Sequence, residues 1–149
     1  MAYKYDVIFE FCSEEYFDQA YALIETMYNE EIGLPGPPKE MLRQSCNNAN
    51  IIIGRIDSLV VSVYHFKIEG NLLKNVICVV HPDYLGDQIT IRMGGFIRPS
   101  MLISGVTQAE VIVKPGSAAE SVCEALGYST VEQRVINGTT FNVKWKVYQ

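Results

Sequence analysis

Two tight turns fix the middle of this chain. Asp57-Ser58 and Glu69-Gly70-Asn71 separate three β-rich runs, Ile51–Ile56, residues 59–68 and Leu72–Val80. Connections this short reverse the chain as hairpins, so the three runs form an antiparallel meander. The third run is nearly all apolar and ends just before Pro82. That composition predicts a strand in the sheet centre, covered on both faces. The next β-like run, Gln108–Val113, begins only after residues 83–106. A single helical crossover of that length makes Leu72–Val80 and Gln108–Val113 parallel neighbours, joined right-handedly. Within it, Ile89, Met93, Phe96 and Ile97 keep helical spacing, but Gly94-Gly95 and Pro99 oppose it. Each glycine costs about 1 kcal/mol in a helix interior and a proline about 3 kcal/mol. The expectation is a loop, then a helix broken or restarted near Pro99.

The flanking segments are easier to read. Residues 5–12 form a short β-like run. An amphipathic helix over residues 13–31 follows, with Tyr16, Ala20, Leu23, Ile24, Met27 and Tyr28 at three- and four-residue steps. Ser13 is placed to cap it, and Glu14 and Glu15 suit the positive end of its dipole. Gly33-Leu34-Pro35-Gly36-Pro37-Pro38 stops that helix. Pro38 can open a second, short helix through Met41 and Leu42 to about Cys46. Towards the C-terminus, residues 117–126 read as a helix closed by Gly127. Ser129–Ile136 and residues 140–147 read as a hairpin around Asn137-Gly138. The result is one α+β domain over 149 residues. It has a mixed, mostly antiparallel central sheet with helices on both faces, and no repeat or linker.

Composition narrows the function. Lys and Arg total 12 against 17 Asp and Glu, a net charge of −5, which argues against a basic face for nucleic acid. No run approaches the ~20 apolar residues of a membrane span. No charged-then-apolar leader is visible, so the expected compartment is cytoplasmic. The cysteines Cys12, Cys46, Cys78 and Cys123 form no C-x-x-C pair, and the expectation is four reduced, mostly buried thiols rather than a zinc site. The sequon Asn137-Gly138-Thr139 is better read as a turn. Acids crowd the start: Asp6, Glu10, Glu14, Glu15, Asp18, Glu25, Glu30 and Glu31 face a single base, Lys4, within residues 1–31. A solvated helix face accounts for them, and a preference for a cationic ligand is the functional counterpart.

Two local sequences carry a resemblance. Val80-His81-Pro82-Asp83-Tyr84 is similar to the V-x-P-x-Tyr stretch that leaves the fourth strand of the GNAT (Gcn5-related) N-acetyltransferases. Glu124-Ala125-Leu126-Gly127-Tyr128 resembles the same family's E-K-L-G-F segment. The element order resembles the family's along nearly the whole chain. The resemblance implies the acyl-CoA N-acyltransferase fold, with acetyl-CoA as co-substrate. Val79 and Val80 would offer backbone to pantetheine, and residues 85–90 would face the pyrophosphate at a helix N-terminus.

The loop departs from the family motif Gln/Arg-x-x-Gly-x-Gly/Ala. Aligned on Tyr84, Leu85 replaces the opening polar residue, Gly86 and Asp87 follow, and Gln88 and Thr90 occupy the two small positions. Small residues there let the backbone approach phosphate. Asp87 would set a negative charge against an anion, at a cost of about 3 kcal/mol per unit charge at ~6 Å and an effective dielectric of ~20. Arg92 and Arg98 lie downstream as candidate counter-charges. Counting back from Tyr128, the family's acid, a tyrosine, falls on Cys123, whose thiol could protonate the departing thiolate. Packing is the other reading of Cys123. His65 is the candidate base, on the opposite side of its strand from Tyr64 and Phe66.

The resemblance implies direct acetyl transfer to the amine of a small molecule or protein. The altered loop supports a second expectation, a catalytically inactive GNAT-fold structural or interaction protein, for example a phage virion component. A homo-oligomer or a larger assembly fits either.

Overall fold

The structure is a computed structural model that describes residues 3–33 and 35–148. Leu34, within the expected helix stop, lies outside the described residues. The strands are β1 (Ile8–Phe11), β2 (Ile51–Ile56), β3 (Leu59–Glu69), β4 (Leu72–Val80), β5 (Gln108–Val113), β6 (Ser129–Ile136) and β7 (Thr139–Val147). The helices are α1 (Glu14–Met27), α2 (Lys39–Asn47), α3 (Ile89–Ile103) and α4 (Ala118–Ala125). The sheet runs β1-β2-β3-β4-β5-β7-β6. β4 and β5 are parallel, whereas β1–β2, β2–β3, β5–β7 and β6–β7 are antiparallel. This is the mixed α+β sheet that the order of turns and crossover dictates. No helix among the described residues is long and apolar enough to cross a membrane.

The chain packs as two units. The first holds residues up to Phe66 together with Ile77–Arg98. Here Phe17, Ala20 and Ile24 of α1 and Leu42 and Cys46 of α2 pack on Ile51, Ile53, Val60, Val63 and Ile77. The opposite face carries α3, through Ile89 against Val7 and Val61, and through Met93, whose Sδ accepts from the Ser62 hydroxyl at 3.6 Å. Helices therefore cover both faces of this sheet. The face change along β3 comes from a bulge. Gly54 opposes Ser62 and Arg55 opposes Val60, which leaves Val61 as the extra residue. Gly54 is required at that point. A Cβ there would run into the Ser62 Oγ and would lie 2.9 Å from Val7 Cγ1 and 3.0 Å from Phe9 Cε1.

Four expectations need correction. α3 runs unbroken from Ile89 to Ile103 with Pro99 inside it. Its stripe of Ile89, Met93, Ile97 and Met101 is 1–4% exposed. At about 1.5–3 kcal/mol for each fully buried side chain, that stripe outweighs the ~5 kcal/mol that the two glycines and the proline cost. α1 ends at Met27, and Tyr28–Ile32 continue as a π-helix up to Gly33, which takes φ +73°. Ser13 holds the N-cap position, but its side chain makes no capping bond. β4 is central in the strand order, yet only Leu73 and Ile77 are buried. Within the first unit, its last residues form the outer strand, which has a neighbour on one side only.

The second unit holds Lys67–Val76 with the chain from Pro99 onward. The β4–β5 register in it runs from Leu72↔Gln108 to Asn75↔Val111. α4 is closed at both ends as its sequence requires. The Ser117 Oγ accepts from the Glu120 N–H at 3.2 Å. At the other end, the Tyr128 and Gly127 N–H groups donate to the Cys123 and Glu124 carbonyls, both at 3.0 Å, with Gly127 at φ +94°. Lys144 of β7 is 2% exposed, and its ammonium is matched by Thr130 Oγ1 at 2.8 Å, Glu124 at 3.3 Å and Glu120 at 3.6 Å. A buried ammonium is tolerated only with such partners. Asn137 and Gly138, at φ +49° and +80°, turn the β6–β7 hairpin.

Candidate functional site

All six residues that the resemblance assigns to the cofactor fall in the first unit. Val79 packs with the α1–α2 core and Val80 with Val7, Val61 and Ile89, so successive side chains leave on opposite faces. Only their peptide groups can line the outer edge of the strand. Past β4, the His81 N–H donates to Val61 O at 2.7 Å, which ties the exit to β3. A single 3-10 turn, Pro82–Tyr84, follows, with the Asp83 N–H donating to His81 Nδ1 at 3.1 Å. Tyr84 sets its ring edge-on to Tyr5, 4.9 Å between centroids.

Leu85, 68% exposed, then leads into a turn with two left-handed residues, Gly86 at φ +93° and Gln88 at φ +56°. Gln88 O accepts the Arg92 N–H at 2.9 Å and so opens α3. The first N–H groups of any α-helix lack intrahelical acceptors, and here they belong to Ile89, Thr90 and Ile91. No acidic residue stands in that first turn. Thr90 Oγ1 accepts from Cys78 Sγ at 3.9 Å, against the end of β4.

Asp87 does not act as the sequence suggests. Its carboxylate accepts the Lys4 N–H and the Tyr5 N–H, each at 2.9 Å, and the Arg92 guanidinium at 2.9 Å. Arg92 also donates to Tyr5 O at 3.2 Å and lies 4.0 Å from the Tyr3 ring centre. Burial alone would raise the Asp87 pKa, but the donors from Lys4, Tyr5 and Arg92 outweigh it and hold it below the usual value. The expected repulsion of an anion is therefore overturned, because the charge is already neutralised. Arg92 is spent on that carboxylate, and Arg98 is exposed farther along α3.

Neither candidate catalytic residue belongs to this loop. His65 is 2% exposed, with Nε2 3.1 Å from Ser45 Oγ on α2. Tyr64 and Phe66 stack on each other 5.4 Å apart, and the alternation of the strand sends them to the face opposite His65. Cys123 lies in the second unit, half-buried on α4. Burial pushes its thiol up, Lys144 pulls it down, and Glu120 and Glu124 push it up again.

One group in the second unit, Glu110, escaped sequence reasoning, and another, Tyr128, entered it only as a motif anchor. Glu110 is 7% exposed and accepts the Trp145 Nε1–H at 2.8 Å. Tyr128 is pushed up to about 12 by burial, and its hydroxyl accepts from Asn75 Nδ2 at 3.4 Å. The same Asn75 amide donates to Glu110 O at 2.8 Å. A lone glutamate inside the apolar run Gln108–Val113 was the available signal. Back in the first unit, a cleft of about 270 Å³ is lined by Tyr21, Glu25, Asn29, Pro35, Pro37 and Leu42 among others. The Tyr21 hydroxyl there donates to Glu25 at 2.8 Å.

No protein-family model and no curated protein sequence matches this chain. Solved structures do. The PaiA N-acetyltransferase of Thermoplasma acidophilum, in complex with coenzyme A, superimposes with a TM-score of 0.79 at 16% identity, over 96% of this chain and 99% of that one. The ribosomal-protein-S18-alanine N-acetyltransferase of Escherichia coli gives 0.75 at 12% identity, over 96% and 94%. A GNAT-family acetyltransferase of Streptococcus pneumoniae gives 0.76 at 9% identity, over 97% and 100%. Over about 96% of its length, this chain has the fold of the GNAT N-acetyltransferases.

Proposed function

We propose that the chain binds acetyl-CoA and transfers the acetyl group directly to an amine. The observation that carries this reading is the loop after β4. Its two left-handed residues deliver the chain to the start of α3, whose first peptide N–H groups suit a pyrophosphate, while Asp87 beside that start is neutralised by Arg92. The coenzyme A held by the PaiA relative supports it. The outer edge of β4 at Val79 and Val80 offers peptide groups to the pantetheine amides, in the manner of an added strand. Leu85, Gly86, Gln88 and Thr90 surround the phosphates. In the transfer, the amine lone pair attacks the thioester carbonyl, the C–N bond forms, the C–S bond breaks, the nitrogen gives up a proton to solvent, and the thiolate takes one up. Cys123, which the resemblance puts at the acid position, is pushed up by burial and keeps its proton at neutral pH, the state that such a donor needs. Glu25 in the cleft beside α1 favours a cationic acceptor.

The bulk of Gln88, where the family keeps a glycine, favours the second reading, a scaffold that has lost the cofactor. Isothermal titration with acetyl-CoA decides between them. The transferase reading expects a Kd of about 10–100 μM, and no heat at ~1 mM would overturn it. Gln88→Gly should tighten that Kd about tenfold. It should leave stability within about 1 kcal/mol, because relief of ~1–2 kcal/mol of left-handed strain is offset by ~0.5–1 kcal/mol of glycine entropy.

A further inference from the structure

Among the described residues, β6 is the outer strand of the sheet, and every residue in it except Ile136 is exposed. Eight residues extend about 27 Å, longer than the usual strand of about 5–6 residues. Two large apolar side chains stand on it, Val131 at 52% and Val135 at 67% exposure. Val131 has no β7 partner, because the register skips it at a bulge between Thr130 and Glu132. Glu132 and Arg134 oppose Val143 and Phe141 and so share one face, while Gln133 and Val135 oppose Asn142 and Thr140 on the other.

We propose that β6 is a homodimer edge, at which two copies pair antiparallel with Gln133 on the two-fold axis. In that register, Glu132 stands opposite Arg134 of the second copy, and the pairing occurs twice. The neighbouring face-preserving registers do worse. Centring on Glu132 sets glutamate against glutamate, and centring on Arg134 sets arginine against arginine. Charges on an edge deter indiscriminate pairing, and here they also select one partner in one alignment. The Glu132–Arg134 pair within each chain, at 2.6 Å, already holds both side chains on the face that the contact uses. The partner that fits this sequence is therefore a second copy.

Sedimentation equilibrium over ~1–100 μM tests the proposal. The wild-type chain should dimerise. Glu132→Arg and Arg134→Glu should each weaken the dimer at least tenfold, with unchanged far-ultraviolet circular dichroism. An equimolar mixture of the two variants should recover it, because arginines then face glutamates at both positions. The double reversal in one chain should also recover it, which guards against loss of folding in either single variant. A wild-type monomer at ~100 μM, a dimer indifferent to both reversals, or a mixture that stays monomeric would each overturn the proposal.

Discussion

Gly54→Ala is expected to destabilise the chain by about 3 kcal/mol or more, lowering its melting temperature by roughly 6–12 °C. The new methyl would press on the Ser62 hydroxyl, on Val7 and on Phe9 at once. None of the three can yield easily. Val7 and Ser62 are buried, and Ser62 sits on the inner side of the β3 bulge, where Met93 of α3 closes over it. Any relief must therefore part β2 from β3 or lift α3. Urea unfolding followed by circular dichroism at 222 nm measures the loss, and adding Ser62→Ala should return part of it. A midpoint within the equivalent of ~0.5 kcal/mol of wild type would mean that the two strands do not approach as closely as described.

Asp87→Asn carries the second large effect, and its sign reverses the sequence-level expectation. On sequence alone, removing this charge relieves repulsion at an anion site and improves cofactor binding. In the structure, it removes the negative charge that faces Arg92 and one of the two oxygens that accept from Lys4, Tyr5 and Arg92. The expected results are a melting temperature lower by roughly 5 °C at pH 7 and weaker binding of acetyl-CoA. The carboxyl pKa is lower in the folded chain than in the unfolded one. Its stabilisation is therefore complete above the unfolded value of ~3.9 and disappears as the pH falls through the folded value. The gap between the melting curves of wild type and variant should narrow as the pH falls below ~3.9, and a gap that stays constant or widens there would contradict the assignment.

Much of the fold was legible because its signals are local. Asn137-Gly138, Ser117 with Gly127, and the turns at residues 57–58 and 69–71 each fix a backbone conformation within a few residues, and the elements they bound fall where the sequence puts them. α3 was not legible, because local penalties at Gly94, Gly95 and Pro99 are offset by a buried stripe visible only after folding. The same limit applied to the loop. Its position after β4 could be read, but the fate of Asp87 depended on residues more than eighty positions earlier in the chain. Glu110 went unnoticed, and Tyr128 served only as a motif anchor, because burial, which makes them unusual, is a property of the packed sheet.

The outer edge of β4 and the opening turn of α3 present peptide groups, which every residue type carries. Substitution there alters bulk and charge around the donors but cannot delete them, proline aside. A binding surface made of main chain leaves almost no trace in the genetic text, so it can persist while the text is rewritten. This chain is 16% identical to a coenzyme A-bound structure, yet its main chain follows the same path through space.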